Sequence, residues 1–226
     1  MNSVIGQIIV WIIAGYLLGS VSFGMLVGKD AGVDIRTKGS GNIGTTNALR
    51  TLGKKAALIT FLGDFFKAFI PVIIAENISM KVFSNSSDIA FLISLITGLS
   101  AVLGHNFPVW IHFKGGKGIA VTAGVTVAIA IHHPLYWILA LLLFIIIVVI
   151  TRYVSVGSLC VPAWSIPVYV LIYERSNEYL VPVLIISFIY TILAFIKHST
   201  NIKRLINGTE NKLFGNKKKD NQEVVK

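Results

Sequence analysis

The sequence predicts an all-α fold, a polytopic transmembrane bundle of seven spans with its N-terminus outside and its C-terminus cytoplasmic. Three observations carry that expectation. The 226 residues are 54% hydrophobic and only 13% charged, with a mean hydropathy of +0.77, which is the composition of a membrane protein. Apolar runs recur along the whole chain, and the basic residues gather in every second connection between them.

The runs fall at 4–27, 56–75, 88–104, 119–131, 135–150, 156–173 and 179–196, against about 20 residues for a spanning helix. The first has no charged residue ahead of it, since the first basic residue is Lys29. It lacks the basic flank of a secretory signal and is expected to stay as a helix. The fourth and fifth are short, but joined they would reach about 48 Å at 1.5 Å per residue, too long for a hydrocarbon core of about 30 Å. His132-His133-Pro134 between them is a turn, because the residue before a proline is pushed out of helical geometry.

Parity tests the count. Seven spans place the loop 28–55, the loop 105–118, the junction 151–155 and the tail 197–226 on one face. All lysines and arginines except Lys67, Lys81 and Arg175 lie there, so that face is cytoplasmic by the positive-inside rule. Residues 1–204 then form one seven-helix membrane domain, with glycine-rich cytoplasmic loops at 28–55 and 105–118. Residues 205–226 are expected to be a basic cytoplasmic tail, disordered towards its end, GNKKKDNQEVVK. No internal repeat is evident. The lone Cys160 allows no internal disulfide. The net charge of +10 suits anionic headgroups or a phosphorylated substrate in such a chain, rather than nucleic acid.

Three glycine- and hydroxyl-rich stretches share the cytoplasmic face: TKGSGNIGTTNALR, HNFPVWIHFKGGKG and RYVSVGS. Their common chemistry is anion binding, since glycines let successive N–H groups converge into a nest. A short helix beginning near Thr45 or Thr46 would turn its positive end to the same anion, and Gly53 would end it. Ser40, Asn42, Thr45, Thr46 and Asn47 add neutral hydrogen-bonding groups, and Arg50 a guanidinium. Gly39 to Gly44 reads G-x-G-x-x-G, but an apolar helix rather than a strand precedes it, which excludes a dinucleotide fold. The lysine of a nucleotide P-loop is also absent, because Thr45-Thr46 follows.

In FKGGKG, Lys114 and Lys117 flank Gly115 and Gly116. Lys114 serves equally as a topology marker, whereas Lys117 lies against the start of a span. His105 and His198 close the third and seventh spans, and each could act as a base or as a hydrogen-bond donor. Asn201, Lys203 and Arg204 follow His198 within two turns. No histidine or cysteine spacing supports a metal site. Asp64 and Lys67 stand one turn apart inside the second span, where charges are costly. They either line the site or form an ion pair near a helix end.

The motifs GSVSFG, DIRTKGSGNIGTTNALRTLGKK, DFFKAFIP, GHNFPVWIHFKGGKG, RYVSVGS and NIKRLINGTE resemble, in this order and over essentially the whole chain, the bacterial integral-membrane glycerol-3-phosphate acyltransferases that use acyl phosphate. The resemblance implies seven helices with an external N-terminus and an active face towards the cytoplasm of the bacterial inner membrane. It implies transfer of a fatty acyl group from acyl phosphate to the 1-hydroxyl of glycerol 3-phosphate, giving lysophosphatidic acid and phosphate. Neither metal nor coenzyme A is expected, and the partners are the two substrates and membrane lipid, with a monomeric protein. By motif, Ser40, Arg50, Lys117, His198 and Asn201 look like the glycerol 3-phosphate contacts. Gly41, Asn42, Gly44, Lys114, Gly115, Gly116 and Ser155 look like the neighbourhood of the donor phosphate, and Thr46, Asn47, His105 and Arg204 like further substrate contacts. One departure is visible: His198-Ser199 stands where the family reads His-Arg.

Two other functions fit less well. A phosphate transporter would hold its basic groups near the midplane of an inverted repeat, and a CDP-alcohol phosphotransferase needs clustered aspartates, whereas the five here are scattered.

Overall fold

The structure, a computed structural model, describes residues 3–84 and 86–213, and among them it is helical with no strand. The first apolar run is two helices, α1 (Val4–Ser20) and α2 (Phe23–Asp30), separated at Val21-Ser22. Ser22 caps α2 by accepting from the Met25 amide. The break frees the Val21 carbonyl, which accepts from Lys67 Nζ at 2.7 Å. A 3₁₀ turn at Ile35–Thr37 leads to α3 (Thr45–Thr51), the short helix expected at Thr45. Gly53, at φ 91°, separates it from α4 (Lys54–Val82).

The central helix is α5 (Ser87–Asn106), which packs against α1 and α4 and, further on, against α6 (Ile119–Ile129) and α10 (Leu180–Lys197). Its approach to α1 depends on small residues, as in many membrane bundles. A Cβ on Gly19 would lie 2.2 Å from the Ala101 carbonyl oxygen, and one on Gly15 2.5 Å from that of Thr97. Between α6 and α10 come α7 (Pro134–Thr151), α8 (Val154–Cys160) and α9 (Pro162–Tyr173). The core of Ala68, Val72, Leu95, Val121, Val125, Ile166 and Val170 is fully buried, and hydrogen bonds such as Tyr190 Oη to the Leu95 carbonyl cross it at 2.8 Å. By contrast, α7 turns Leu139, Leu142, Ile146 and Ile150 outward, as a helix solvated by lipid does.

Among the described residues, six helical segments are long and apolar enough to cross a membrane. The fourth expected span, at 119–131, corresponds to α6, whose 11 residues rise only about 16 Å. The turn at His132-His133 separates α6 from α7 as expected, with Pro134 as the first residue of α7. A last helix, α11 (Ser199–Ile206), follows α10 directly at His198. Residues 207–213, the described start of the segment after α11, fold back onto the bundle, and the Leu213 amide donates to the Arg152 carbonyl at 2.8 Å. The basic end beyond residue 213 lies outside the described residues.

Candidate active site

The four connections expected on one face meet around one cavity of about 310 Å³. The first contributes through a knot at Asn47, which is 1% exposed. Its amide donates to the carbonyls of Ile35 at 3.1 Å and Lys38 at 3.0 Å, while its Oδ1 accepts from the Ser40 amide at 2.8 Å. Both N–H donors of Asn47 are therefore spent on backbone, and it serves to fix Ser40 at the wall. Gly39, at φ 59°, is needed beside it, because a Cβ there would lie 2.3 Å from Asn47 Oδ1. Asn42 Oδ1 accepts from the Gly44 amide at 2.9 Å, which bends the loop into α3. Thr45 Oγ1 is buried in the same wall without a hydrogen-bond partner among the described residues.

The second connection is pinned to the end of α5. The Gly116 amide donates to the His105 carbonyl at 3.0 Å, and a Cβ on Gly115 would lie 2.0 Å from that same oxygen. The glycines bring the loop in close and leave Lys117 at the cavity, where its Nζ donates to Asn201 Oδ1. Burial, with Arg204 and Arg50 nearby, lowers the Lys117 ammonium to about 8 against the pull of Glu210.

The third and fourth connections are joined by a carboxylate that the sequence reading missed. Glu210 accepts from Ser155 Oγ at 3.0 Å, Asn201 Nδ2 at 2.6 Å and Arg204 Nε at 2.8 Å. Burial alone would push its carboxyl up, but these hydrogen bonds outweigh that and hold it below the usual range. Because Nδ2 of Asn201 faces Glu210, its Oδ1 is presented to Lys117. His198 Nδ1 lies 2.8 Å from the Ala194 carbonyl, an atom that only accepts, so Nδ1 carries the proton and Nε2 a lone pair. Burial and Lys117 lower the His198 imidazole to about 4. Arg50 Nη2 donates to the Asn211 carbonyl at 3.2 Å, which ties the folded-back segment to the cavity wall.

The rest of the wall is apolar, from Phe61, Ile119, Phe144, Val148 and Val154. A model of the glycerol-3-phosphate acyltransferase family matches residues 9–208. The chain belongs to that family. A glycerol-3-phosphate acyltransferase of Geotalea daltonii is 42% identical over 203 residues, covering 90% of this chain and 96% of the relative. One of Clostridioides difficile is 40% identical over 216 residues, 95% and 98% of the two chains. The integral membrane glycerol 3-phosphate acyltransferase PlsY, in its glycerol 3-phosphate form, superposes with a TM-score of 0.77 at 37% identity, over 92% of this chain and 96% of that one. Its lysophosphatidic acid form superposes with a TM-score of 0.75.

In this member of the acyltransferase family, Ser40, Asn42, Gly44, Thr46, Asn47, Arg50, His105, Lys117, Ser155, His198, Asn201 and Arg204 all line the cavity. Gly41, Lys114, Gly115 and Gly116 do not. Gly41, at φ 71°, shapes its loop, Gly115 and Gly116 seat theirs on α5, and Lys114 is exposed. Ser199, the departure from the family pattern, is also exposed and off the cavity wall. Asp64, in the middle of α4, lines the cavity, whereas its partner Lys67 lies behind it. Glu210 was detectable in sequence only as the single acid among the bases after His198 and ahead of the basic end.

Proposed function

We propose that the protein transfers a fatty acyl group from acyl phosphate directly to the 1-hydroxyl of glycerol 3-phosphate, releasing lysophosphatidic acid and inorganic phosphate. The observation that carries this reading is one cavity with two characters. Its wall holds Arg50, Lys117, Arg204, Asn201 and Ser40 together with the apolar side chains of Phe61, Ile119, Phe144, Val148 and Val154, which suits two phosphates beside a fatty chain. The acyl chain would extend between helices into the bilayer.

Placement does most of the chemical work. Acyl phosphate is a mixed anhydride whose phosphate leaves readily, so neither a covalent acyl-enzyme nor a metal is required. Two anions must be brought together, which the cations permit, and holding hydroxyl against carbonyl makes the encounter effectively unimolecular. The hydroxyl oxygen bonds to the acyl carbon, the bond from that carbon to the phosphate oxygen breaks, and the hydroxyl proton passes to a substrate phosphate. His198, held at about 4 by burial and Lys117, is a weak base, so the proton is assigned to the phosphate. His198 Nε2 is free to accept a hydrogen bond from the neighbouring 2-hydroxyl, which orients the acceptor while the 1-hydroxyl keeps its one proton for the phosphate.

For topology, we propose that α6 is the fourth of seven crossings, because the connections before it and after α7 both reach the cavity. The basic loops then put that cavity on the cytoplasmic face of the bacterial inner membrane, in a monomeric protein. Purified protein in liposomes, given labelled glycerol 3-phosphate and palmitoyl phosphate, should form labelled lysophosphatidic acid. Label accumulating inside the vesicles as unesterified glycerol 3-phosphate would replace this reading with a transporter.

A further inference from the structure

A buried charged group joins the cavity wall to the helix packing behind it: Asp64, Lys67 and His105 are 1%, 8% and 5% exposed. Lys67 Nζ is 2.7 Å from Asp64 Oδ1, 2.7 Å from the Val21 carbonyl and 2.9 Å from His105 Nδ1. A carboxylate at this depth keeps its charge only beside a cation, so Lys67 is an ammonium with three N–H donors. Three neighbours surround it. The carboxylate and the carbonyl can only accept, and the third donor falls to His105 Nδ1. A protonated Nδ1 would set N–H against N–H, and Asp64 Oδ1, at 3.6 Å from Nδ1, is too far to receive that proton instead. The ring proton of His105 therefore sits on Nε2, which has no hydrogen-bond partner among the described residues.

His105 is part of the cavity wall, and its Nε2 lies so close to the second loop that a Cβ on Gly116 would come within 2.1 Å. We infer that His105 acts as a hydrogen-bond donor, its Nε2–H serving the acyl carbonyl oxygen as that oxygen gains charge, and that Asp64 and Lys67 are positioning residues that hold this tautomer. The inference rests on the acyl-transfer reading for the identity of the oxygen. It gives the two cavity histidines opposite polarity. His198, backed by the Ala194 carbonyl, presents a lone pair to the 2-hydroxyl of the acceptor, while His105, backed by an ammonium, presents a proton to the carbonyl. His105 neither gains nor loses its proton during transfer, so it is not a general base.

The test is the tautomer itself, read from ¹⁵N spectra of histidine-labelled protein in lipid, with the His105 signals identified by their loss in His105→Gln. The expected spectrum has a protonated Nε2 and an unprotonated Nδ1, and Lys67→Met should shift part of the population to the other tautomer. A proton on Nδ1 in the unaltered protein overturns the inference, and if Lys67→Met does not fold, that spectrum alone decides. No turnover is needed, so a failed acyl-transfer reading cannot be mistaken for a failed tautomer. In kinetics, His105→Ala should lower kcat about 10²-fold or more, the scale of a lost oxyanion donor. His105→Gln, with an amide N–H in the same region, should recover at least about tenfold of that loss. Unchanged kcat in His105→Ala, no recovery in His105→Gln, or a loss confined to the KM for acyl phosphate would each overturn the assignment to the carbonyl oxygen.

Discussion

Lys117 illustrates how one side chain takes its role from its surroundings. Its ammonium is lowered to about 8 by burial and neighbouring cations, so it is charged at neutral pH and loses that charge as pH rises through about 8. If the charge holds a substrate phosphate, kcat/KM should fall on the alkaline side with a midpoint near 8. Lys117→Arg should move that limb upward, because a guanidinium does not deprotonate in this range. An alkaline limb unmoved by Lys117→Arg would remove the lysine from the rate law. At this scale the sequence was informative about which residues gather and less so about what each does. Lys117, Asn201, His198 and Ser155 could be read from their loops, but Asn47 was read as a substrate contact although its amide donors go to the Ile35 and Lys38 carbonyls. Glu210 was missed because its partners Ser155 and Asn201 come from separate segments, and no local spacing reports such a meeting.

Among the elements, the close contact of α1 with α5 follows from glycines that the sequence displays and whose partners it does not. Gly19→Ala would place a Cβ 2.2 Å from the Ala101 carbonyl oxygen. Backbone cannot step aside cheaply, so a cost of about 1–3 kcal/mol is expected, read as a lower thermal midpoint in detergent. A midpoint equal to that of the unaltered protein would mean that the two helices are not so closely packed. The helical segments themselves were legible from hydropathy, including the turn at His132-His133-Pro134 and the short α3 ending before Gly53. The break at Val21-Ser22 was not, because the run 4–27 is apolar on both sides of it, and its purpose, a carbonyl for Lys67, depends on a residue in another helix. Likewise the pair Asp64 and Lys67 was recognised one turn apart, but its joining to His105 is a tertiary contact. The contacts of residues 207–213 with Arg50 and Arg152 are hidden for a related reason, since polar composition alone does not report which segment a chain folds against.

In the whole molecule, the distribution of charge and the convergence of four connections on one cavity support the same orientation. Cys160 is the lone cysteine, so on a Cys160→Ser background single cysteines can report sidedness. Arg175→Cys should react with a membrane-impermeant maleimide in intact spheroplasts, and Lys38→Cys only after permeabilisation. The reverse pattern would invert the topology, and labelling of both in intact cells would break the parity on which seven crossings rest. The most direct measurement is phosphate release from palmitoyl phosphate by the purified protein in lipid, with and without glycerol 3-phosphate and with palmitoyl-CoA as the competing donor. The account predicts release only when glycerol 3-phosphate is present, matched one for one by lysophosphatidic acid, and no reaction of the thioester. A stoichiometric burst of phosphate without glycerol 3-phosphate would reveal an acyl-enzyme, and turnover of the thioester, or of neither donor by folded protein, would contradict direct transfer from acyl phosphate.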